Sequence, residues 1–322
     1  MSNTKKLNAS NIAVSPMYFL GKVIWSVIRL FFMLEMAFII LYPIIYMLSM
    51  AFRDSADMWD LSIVWIPKNF TLENFELVFE SLKFDVAFKN TAIISVVSTI
   101  LQVIVCAVTG YGFARFKFRG SNILFLVVIF TVIVPPQMIN LPNYLLFSDF
   151  DIFGVLGLVL GDSFKINMLD SFTTVFVLAF FGQGLRAGLF ILIFRQYFKG
   201  IPVELEEAAM IDGCGYFETF VKIMAPNASG PIITTFLFSM VWYWNDYYTM
   251  STFFTQIRTL SVNLSNIGLS LQNLMSSDAY NPYKVMTLKQ AACIVCMLPM
   301  FILFAILQKR FVRTMVSSGL VG

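Results

Sequence analysis

Three groups of residues in this chain have types and spacing suited to chemistry. Glu204, Glu206 and Glu207 stand beside Ala208, Ala209, Asp212 and Gly213. Carboxylates at the start of a short helix favour the positive end of its dipole, and small residues next to them let another surface come close. Trp242, Trp244, Asn245 and Asp246 form the second group. Aromatic faces stack on sugar C–H surfaces, and amide and carboxylate groups hydrogen-bond hydroxyls. The same residues also fit an interfacial aromatic belt at the end of a membrane span. Arg186 is the third, within Gln183-Gly184-Leu185-Arg186-Ala187-Gly188, where glycines leave room for a neighbouring helix or a ligand. A charge inside an apolar span costs roughly 2.5–3.5 kcal/mol on insertion scales, so it faces the bundle interior or water.

Other chemistries drop out. The chain has 0 histidines, which excludes catalysis or metal binding through imidazole. Cys293 and Cys296 have CxxC spacing, but inside an apolar run they read as two small residues on one helix face. The Gly21-Lys22 pair is followed by Val23 and lacks the preceding glycine of a phosphate-binding loop. No acids face one another in a way that assembles an active site, so the chain is expected to be non-catalytic.

Membrane helices must position these groups. Hydrophobic residues make up 58% of the chain, charged residues 13%, and the mean hydropathy is +0.79. A bilayer core needs about 20 mostly apolar residues per helix. Such runs occur near 24–50, 89–113, 122–146, 172–196, 230–252 and 286–308, which predicts an all-α integral membrane protein with six transmembrane helices. The first run is too long for a signal peptide and reads as a retained anchor. Lys and Arg concentrate in the segments before the first span, between the second and third, between the fourth and fifth, and after the sixth; Lys5, Lys6, Arg115, Lys117, Lys199 and Lys309 are examples. Acids such as Asp54, Asp57, Asp60, Glu73 and Glu76 collect in the alternate segments. Both termini are therefore expected in the cytosol. The net charge of +3 reflects this bias rather than a basic binding face, so lipid is an expected partner and nucleic acid is not.

The predicted organisation is a cytosolic tail over 1–23 and a six-span domain over 24–322, with a cytosolic loop at 197–229. Thr71 is expected to cap an amphipathic helix after Pro67. Pro135-Pro136 must kink or break the third span, either as a packing kink or as part of a gate. Glu35 in the first span reads as a snorkelling side chain.

In the 197–229 loop, Pro202 fits the first position of a helix. Gly213 should stop that helix and Gly215 permit a reversal. Phe217, Phe220, Val221 and Met224 then fall on one face of a second helix, which Pro226 ends. Helices lying on headgroups favour Lys and Arg. Three leading glutamates favour a protein partner instead.

The order Arg195-Gln196-Tyr197-Phe198, Ile201-Pro202, Glu204 to Ala209, Ile211-Asp212-Gly213 and Trp244-Asn245-Asp246 resembles carbohydrate-type ABC-importer permeases. These are the maltose-importer-like members of the binding-protein-dependent transport inner-membrane component family. Trp65-Ile66-Pro67, Phe70 to Phe75, Tyr111 to Phe116 and the tail Gly319 to Gly322 agree with it, so the likeness runs over about 25–322. Three features depart from it: Ala225 stands where the family has Leu, Val321 where the tail often has Lys, and residues 150–171 form a longer segment of unassigned role.

The resemblance implies a type I importer fold whose 197–229 segment is the coupling (EAA) loop. It implies a second permease subunit, usually a different chain, an ABC ATPase dimer beneath the pair, and a solute-binding protein that delivers a sugar or oligosaccharide. ATP-Mg would belong to the ATPase, and this chain would bind no cofactor. Glu207, Ala208, Ala209, Asp212 and Gly213 would dock on the ATPase. Gln183, Arg186, Trp242, Trp244, Asn245 and Asp246 are candidates for the solute pathway, with Arg186 equally suited to pairing with an acid of the partner permease. The location implied is a bacterial plasma membrane. Two alternatives stay open, a non-sugar solute and a secondary transporter or channel. The latter would show internal repeats and several intramembrane acids.

Overall fold

The computed structural model describes residues 16–54, 56–57, 60, 62–63, 65–151, 166–274 and 281–319. Lys5, Lys6, Val321 and most of the unassigned 150–171 segment lie outside them. Among the described residues the regular structure is helical, and only two isolated β-bridges occur, Arg53 with Phe70 and Phe150 with Ile166.

The helices, in chain order, are α1 (Pro16–Ala51), α2 (Glu73–Leu82), α3 (Phe84–Arg115), α4 (Ser121–Ile133), α5 (Pro136–Ser148), α6 (Phe172–Phe180) and α7 (Ala187–Gly200). They continue as α8 (Glu204–Ile211), α9 (Tyr216–Thr219), α10 (Ser229–Asn245), α11 (Tyr248–Phe253), α12 (Leu260–Ser265), α13 (Ile267–Leu274) and α14 (Pro282–Gly319).

Contacts divide the chain into two compact units, residues 1–71 and 72–322. In the first, α1 is apolar along its length, and Phe38 and Tyr42 pack on Trp65. The segment after α1 closes on itself. Asp57 accepts from the Asn69 N–H at 2.8 Å and from its side-chain amide at 2.7 Å, and Lys68 pairs with Asp60 at 2.5 Å. Those hydrogen bonds hold both carboxyls below the usual carboxylate range.

In the second unit α3 is central and packs against α6, α7 and α10. Its buried face is small and polar, with Thr91, Ser95, Ser98, Thr99 and Gln102 all buried. Small polar faces let helices approach closely where lipid offers no hydrophobic drive to pack. Helix α2 begins at Glu73, with Leu72 in the N-cap position directly after Thr71. Asp170, from the unassigned segment, ties that segment to the stretch after α11. Its carboxylate accepts from the N–H of Thr255 at 2.6 Å and of Gln256 at 2.8 Å, and from the Thr255 hydroxyl. Burial opposes ionisation there, but these bonds prevail and hold the carboxyl below its ordinary value.

Among the described residues, three helices could cross a membrane by length and apolarity, Leu20–Ala51, Phe84–Arg115 and Pro282–Lys309; α4 and α5, bent by 104°, make a fourth if counted together. The other runs expected as spans are interrupted. Val134 is extended, the conformation favoured before a proline, and Pro136 then starts α5. The 172–196 run breaks between α6 and α7. Gly182, at φ 71°, closes α6 with bonds from its own N–H to Ala179 O and from Gln183 N–H to Leu178 O. Arg186 is thus not in mid-helix; it sits at φ 58° as the N-cap of α7. The 230–252 run stops at Asn245, and α11 restarts at Tyr248.

One close contact can be tested directly. A Cβ on Gly110 would lie 2.5 Å from Phe194 Cβ and 3.0 Å from the Arg195 nitrogen, whereas one on Gly112 would have Phe116 Cδ2 at 3.9 Å as its nearest neighbour. Gly110→Ala should cost about 1–3 kcal/mol by forcing α3 and α7 apart, while Gly112→Ala is tolerated. Thermal unfolding in detergent separates them, and equal melting temperatures would refute this packing.

Candidate functional site

The three helix breaks meet at one cavity of about 310 Å³. Its walls come from the α4–α5 junction (Thr131, Val134, Pro136, Asn140 and Asn143), from Gly182 to Gly188 between α6 and α7, and from Tyr243, Asp246 and Thr249 where α10 gives way to α11. The cavity lies where two buried clusters adjoin. Ala187 belongs to one, with Phe190, Phe194 and Phe198; Val175 and Tyr243 belong to the other, with Met250 and Phe253.

Each break has a local chemical cause and a local remedy. Gln102 Nε2 donates to the Leu185 carbonyl at 2.6 Å, supplying from α3 the partner that the interrupted helix cannot provide. Tyr243 in turn donates its hydroxyl to Gln102 Oε1 at 2.6 Å, which fixes the amide. This chain passes so close to the break that a Cβ on Gly184 would lie 2.3 Å from Tyr243 Oη and 2.4 Å from Gln102 Oε1. Gly188 is as tightly held, with Thr131 Oγ1 2.4 Å from where its Cβ would be. At the third break, Asp246 Oδ1 accepts from the Thr249 N–H at 3.1 Å and so caps α11. Its other carboxylate oxygen is buried with no partner.

The structure sorts the six pathway candidates. Gln183, Arg186 and Asp246 line the cavity. Trp242 joins them through Arg186, whose guanidinium carbon lies 5.8 Å from the indole centroid. Arg186 has no ion pair among the described residues. Trp244 and Asn245 point elsewhere. Trp244 is buried, donates from Nε1 to the Cys296 carbonyl at 2.9 Å and meets Phe88 edge-on. Asn245 bonds back to the Val241 carbonyl at 2.8 Å. Gln102, Tyr243, Asn140, Asn143 and Thr249 escaped the sequence reading. Asn140 and Asn143, polar in an apolar run just after Pro136, were the detectable signal.

The 197–229 loop forms a second site. Helix α8 starts at Glu204, two residues later than Pro202 suggested, with the Glu206 and Glu207 N–H groups bonded to the Val203 carbonyl. Gly213, at φ 89°, ends it in a Schellman turn, with Gly213 N–H to Met210 O and Cys214 N–H to Ala209 O. Gly215 is extended, at φ −74°, and supplies no left-handed turn. Glu207, Ala208, Asp212 and Gly213 are exposed, while Ala209 is buried. Glu206, the acid between them and the helix start, turns inward. Its Oε1 meets Arg115 Nε at 2.5 Å, with only 10% and 8% of the Arg115 and Glu206 side chains exposed, and Arg115 also donates to the Ile201 carbonyl at 2.7 Å. Tyr111 meets Phe198 edge-on and packs tilted against Phe220 beside the pair.

The second loop helix does not present the expected face. Residues Phe220–Met224 form a π-turn, which rotates the register: Met224 is buried and Phe220 half-buried, but Phe217 is 78% exposed and Val221 is exposed too. Pro226 does not end the helix either. The π-turn admits it into the short helical segment Ala225–Asn227, which leads on to α10. Ile211, Tyr216, Phe217 and Val221 thus leave an apolar surface exposed beside the acids of α8.

Comparison with known proteins adds four findings. The family model described as the binding-protein-dependent transport system inner membrane component matches residues 103–317. An arabinooligosaccharide transport permease of Halalkalibacterium halodurans is 25% identical over 89% of this chain and 93% of its own length. A polygalacturonan/rhamnogalacturonan transport permease of Bacillus subtilis is 26% identical over 90% of this chain and 96% of its own. Among solved structures, a chain of a bacterial ABC transporter that imports the acidic polysaccharide alginate shares the fold, with TM-score 0.70, 20% identity, and coverage of 90% of this chain and 98% of that one.

The Arg115–Glu206 pair makes a stability prediction. Glu206→Gln leaves a buried guanidinium without its counter-charge and should cost about 3–5 kcal/mol, whereas Arg115→Met with Glu206→Leu should recover most of that loss. Thermal unfolding of the single and double variants checks it. A single variant as stable as wild type would mean that the loop is not held by this contact.

Proposed function

The chain belongs to the binding-protein-dependent transport system inner membrane component family, and we propose that it is the membrane-spanning subunit of an ATP-driven importer of a sugar or oligosaccharide. The convergence of three helix breaks on one cavity, whose largely apolar wall includes Asn140, Asn143, Gln183, Arg186, Tyr243 and Asp246, carries this reading. Interrupted backbone at membrane depth is tolerated only where protein or a water-filled cavity satisfies it, and such breaks mark solute sites in transporters. The proposed crossings are α1, α3, α4 with α5, α6 with α7, α10, and α14, with both termini and the 197–229 loop in the cytosol. A second permease would complete the pathway, and a solute-binding protein would deliver solute from outside the plasma membrane. The carbohydrate assignment is carried over from the relatives named above, and the Asn, Gln, Tyr and Asp groups around the cavity suit hydroxyl-rich solutes.

In this reading α8 seats in a groove of the ATPase, with Glu207, Ala208, Ala209, Asp212 and Gly213 forming the contact. Movement of that helix passes through Glu206 to Arg115 at the end of α3. Gln102 lies 13 residues back along α3, about 20 Å at 1.5 Å per residue, and it holds the α6–α7 break. One rigid helix therefore links the proposed ATPase contact to the cavity wall. When the ATPase dimer closes, displacement of α3 would reshape the break that positions Gln183 and Arg186. ATP-Mg and its hydrolysis belong to the partner.

Two outcomes are expected. Gentle purification of the tagged chain from its native membrane should recover a second permease and an ATPase in stoichiometric amounts, and Gly213→Asp should lose the ATPase while keeping the permease. Recovery of the chain alone, unchanged by that substitution, would favour a transporter without an ATPase. Arg186→Ala should lower sugar uptake at least tenfold at unchanged membrane level. Uptake at the wild-type rate would remove Arg186 from the pathway.

A further inference from the structure

A second cavity, of about 550 Å³, opens at the end of the bundle that carries the 197–229 loop. The ends of α3, α4 and α7 surround it, and Lys117, Arg195 and Lys199 all line it. No carboxylate pairs with any of the three among the described residues. Arg195 is fixed in place: its Nε donates to the Phe113 carbonyl at 3.3 Å, and its guanidinium carbon lies 3.7 Å from the Phe125 ring centroid. Its terminal N–H groups remain for a ligand. The positive end of α4 faces the same space through Ser121, Asn122 and Ile123, with no acid in the first turn to neutralise it. Three cations and the positive end of a helix converge there without a carboxylate, which makes a favourable place for a bound anion.

The rim narrows the choice of anion. Phe116, Phe118 and Ile123, which line the opening, are exposed. Aromatic and aliphatic side chains beside basic groups are what an acyl–headgroup boundary requires. A soluble anion would gain nothing from them. An acidic protein surface would use the lysines but leave these apolar groups uncovered. We infer that this cavity binds the phosphate headgroup of an anionic phospholipid, with its acyl chains lying along the apolar rim. Phe116 stacks edge-on against Tyr216 of the loop, so a lipid held there braces the end of α3 against the segment proposed to meet the ATPase. Placing it in the cytosolic leaflet rests on the topology proposed above; the site itself does not.

Native mass spectrometry of the purified full-length chain, titrated in detergent with phosphatidylglycerol or phosphatidylcholine, tests the assignment. The wild type should retain phosphatidylglycerol in clear preference. Lys117→Gln with Lys199→Gln should weaken retention about thirtyfold, from roughly fivefold per lysine near a charged headgroup, and Lys117→Arg with Lys199→Arg should restore it. Both lysines are exposed, so the melting temperature without lipid should stay unchanged. Equal retention of the two lipids, or unaltered phosphatidylglycerol retention in the Gln variant, would overturn the proposal. So would inorganic phosphate that raises the melting temperature as much as phosphatidylglycerol does, which would mark a free-anion site. Loss of a co-purifying ATPase with lipid retention intact would assign the cations to a protein partner. Detergent removes sidedness, so a reversed topology would leave these outcomes unchanged and would be found separately.

Discussion

A backbone group released from a helix in apolar surroundings must find another partner, and the second unit of this protein is organised by that requirement. An unsatisfied amide or carbonyl in hydrocarbon costs several kcal/mol, so a chain with three helix breaks cannot scatter them. Here the remedies are local and different in kind. At the α4–α5 junction Pro135 and Pro136 bring no N–H to satisfy. At the α6–α7 break a glycine-closed Schellman turn uses two released carbonyls, and Gln102 takes the Leu185 carbonyl. At the end of α10, Asp246 caps the helix that follows. Satisfied backbone at three adjoining points leaves a small space, lined by apolar and a few polar side chains, between two apolar clusters. The cavity is the geometric remainder of those solutions rather than a separate feature.

The same logic explains why α3 dominates the packing. It must approach α6, α7 and α10 closely enough for Gln102 and Tyr243 to reach the α6–α7 break, and a face of Thr, Ser and Gly permits that approach. Ser95 and Ser98 of α3, and Thr235 and Ser239 of α10, are buried with hydroxyls that find no partner among the described residues. At its far end α3 carries Arg115, and the buried pair with Glu206 sets where the loop sits. Such a pair adds little net stability over apolar neighbours, but breaking it is expensive. That asymmetry suits a contact that fixes one register of the loop against α3.

Much of this was legible in the sequence. The proline pair announced its break because the missing N–H and the steric clash one turn back act locally. Gly213 announced the end of α8 for the same reason, since only a left-handed residue closes that turn without strain. What escaped depended on neighbours far away in sequence. Gly184 and Gly188 signalled close approach but not what approaches, because Tyr243, Gln102 and Thr131 come from other helices. Arg186 read as a mid-span charge because apolar length does not report a helix break. Trp244 and Asp246 are two residues apart in sequence, yet the turn that frees Asp246 leaves Trp244 buried against the Cys296 carbonyl. The expected face of Phe217, Phe220, Val221 and Met224 assumed 3.6 residues per turn, and one π-turn was enough to divide it.

That π-turn also shows how the loop reconciles two demands. Pro226 has no N–H, and in a regular α-helix its ring would crowd the carbonyl one turn back; it follows directly on the widened turn. Widening Phe220–Met224 accommodates it and keeps the path continuous into α10. The rotation that follows buries Met224 against the α3–α7 cluster and turns Phe217 and Val221 outward. An ideal α-helix in this position would bury more apolar area and expose less. The loop instead presents a mixed surface, acids on α8 and apolar side chains on the turn after it, braced from behind by Glu206, Arg115 and Tyr111. The loop thus keeps its acids and its apolar side chains on one exposed face while its buried pair fixes the backbone behind them.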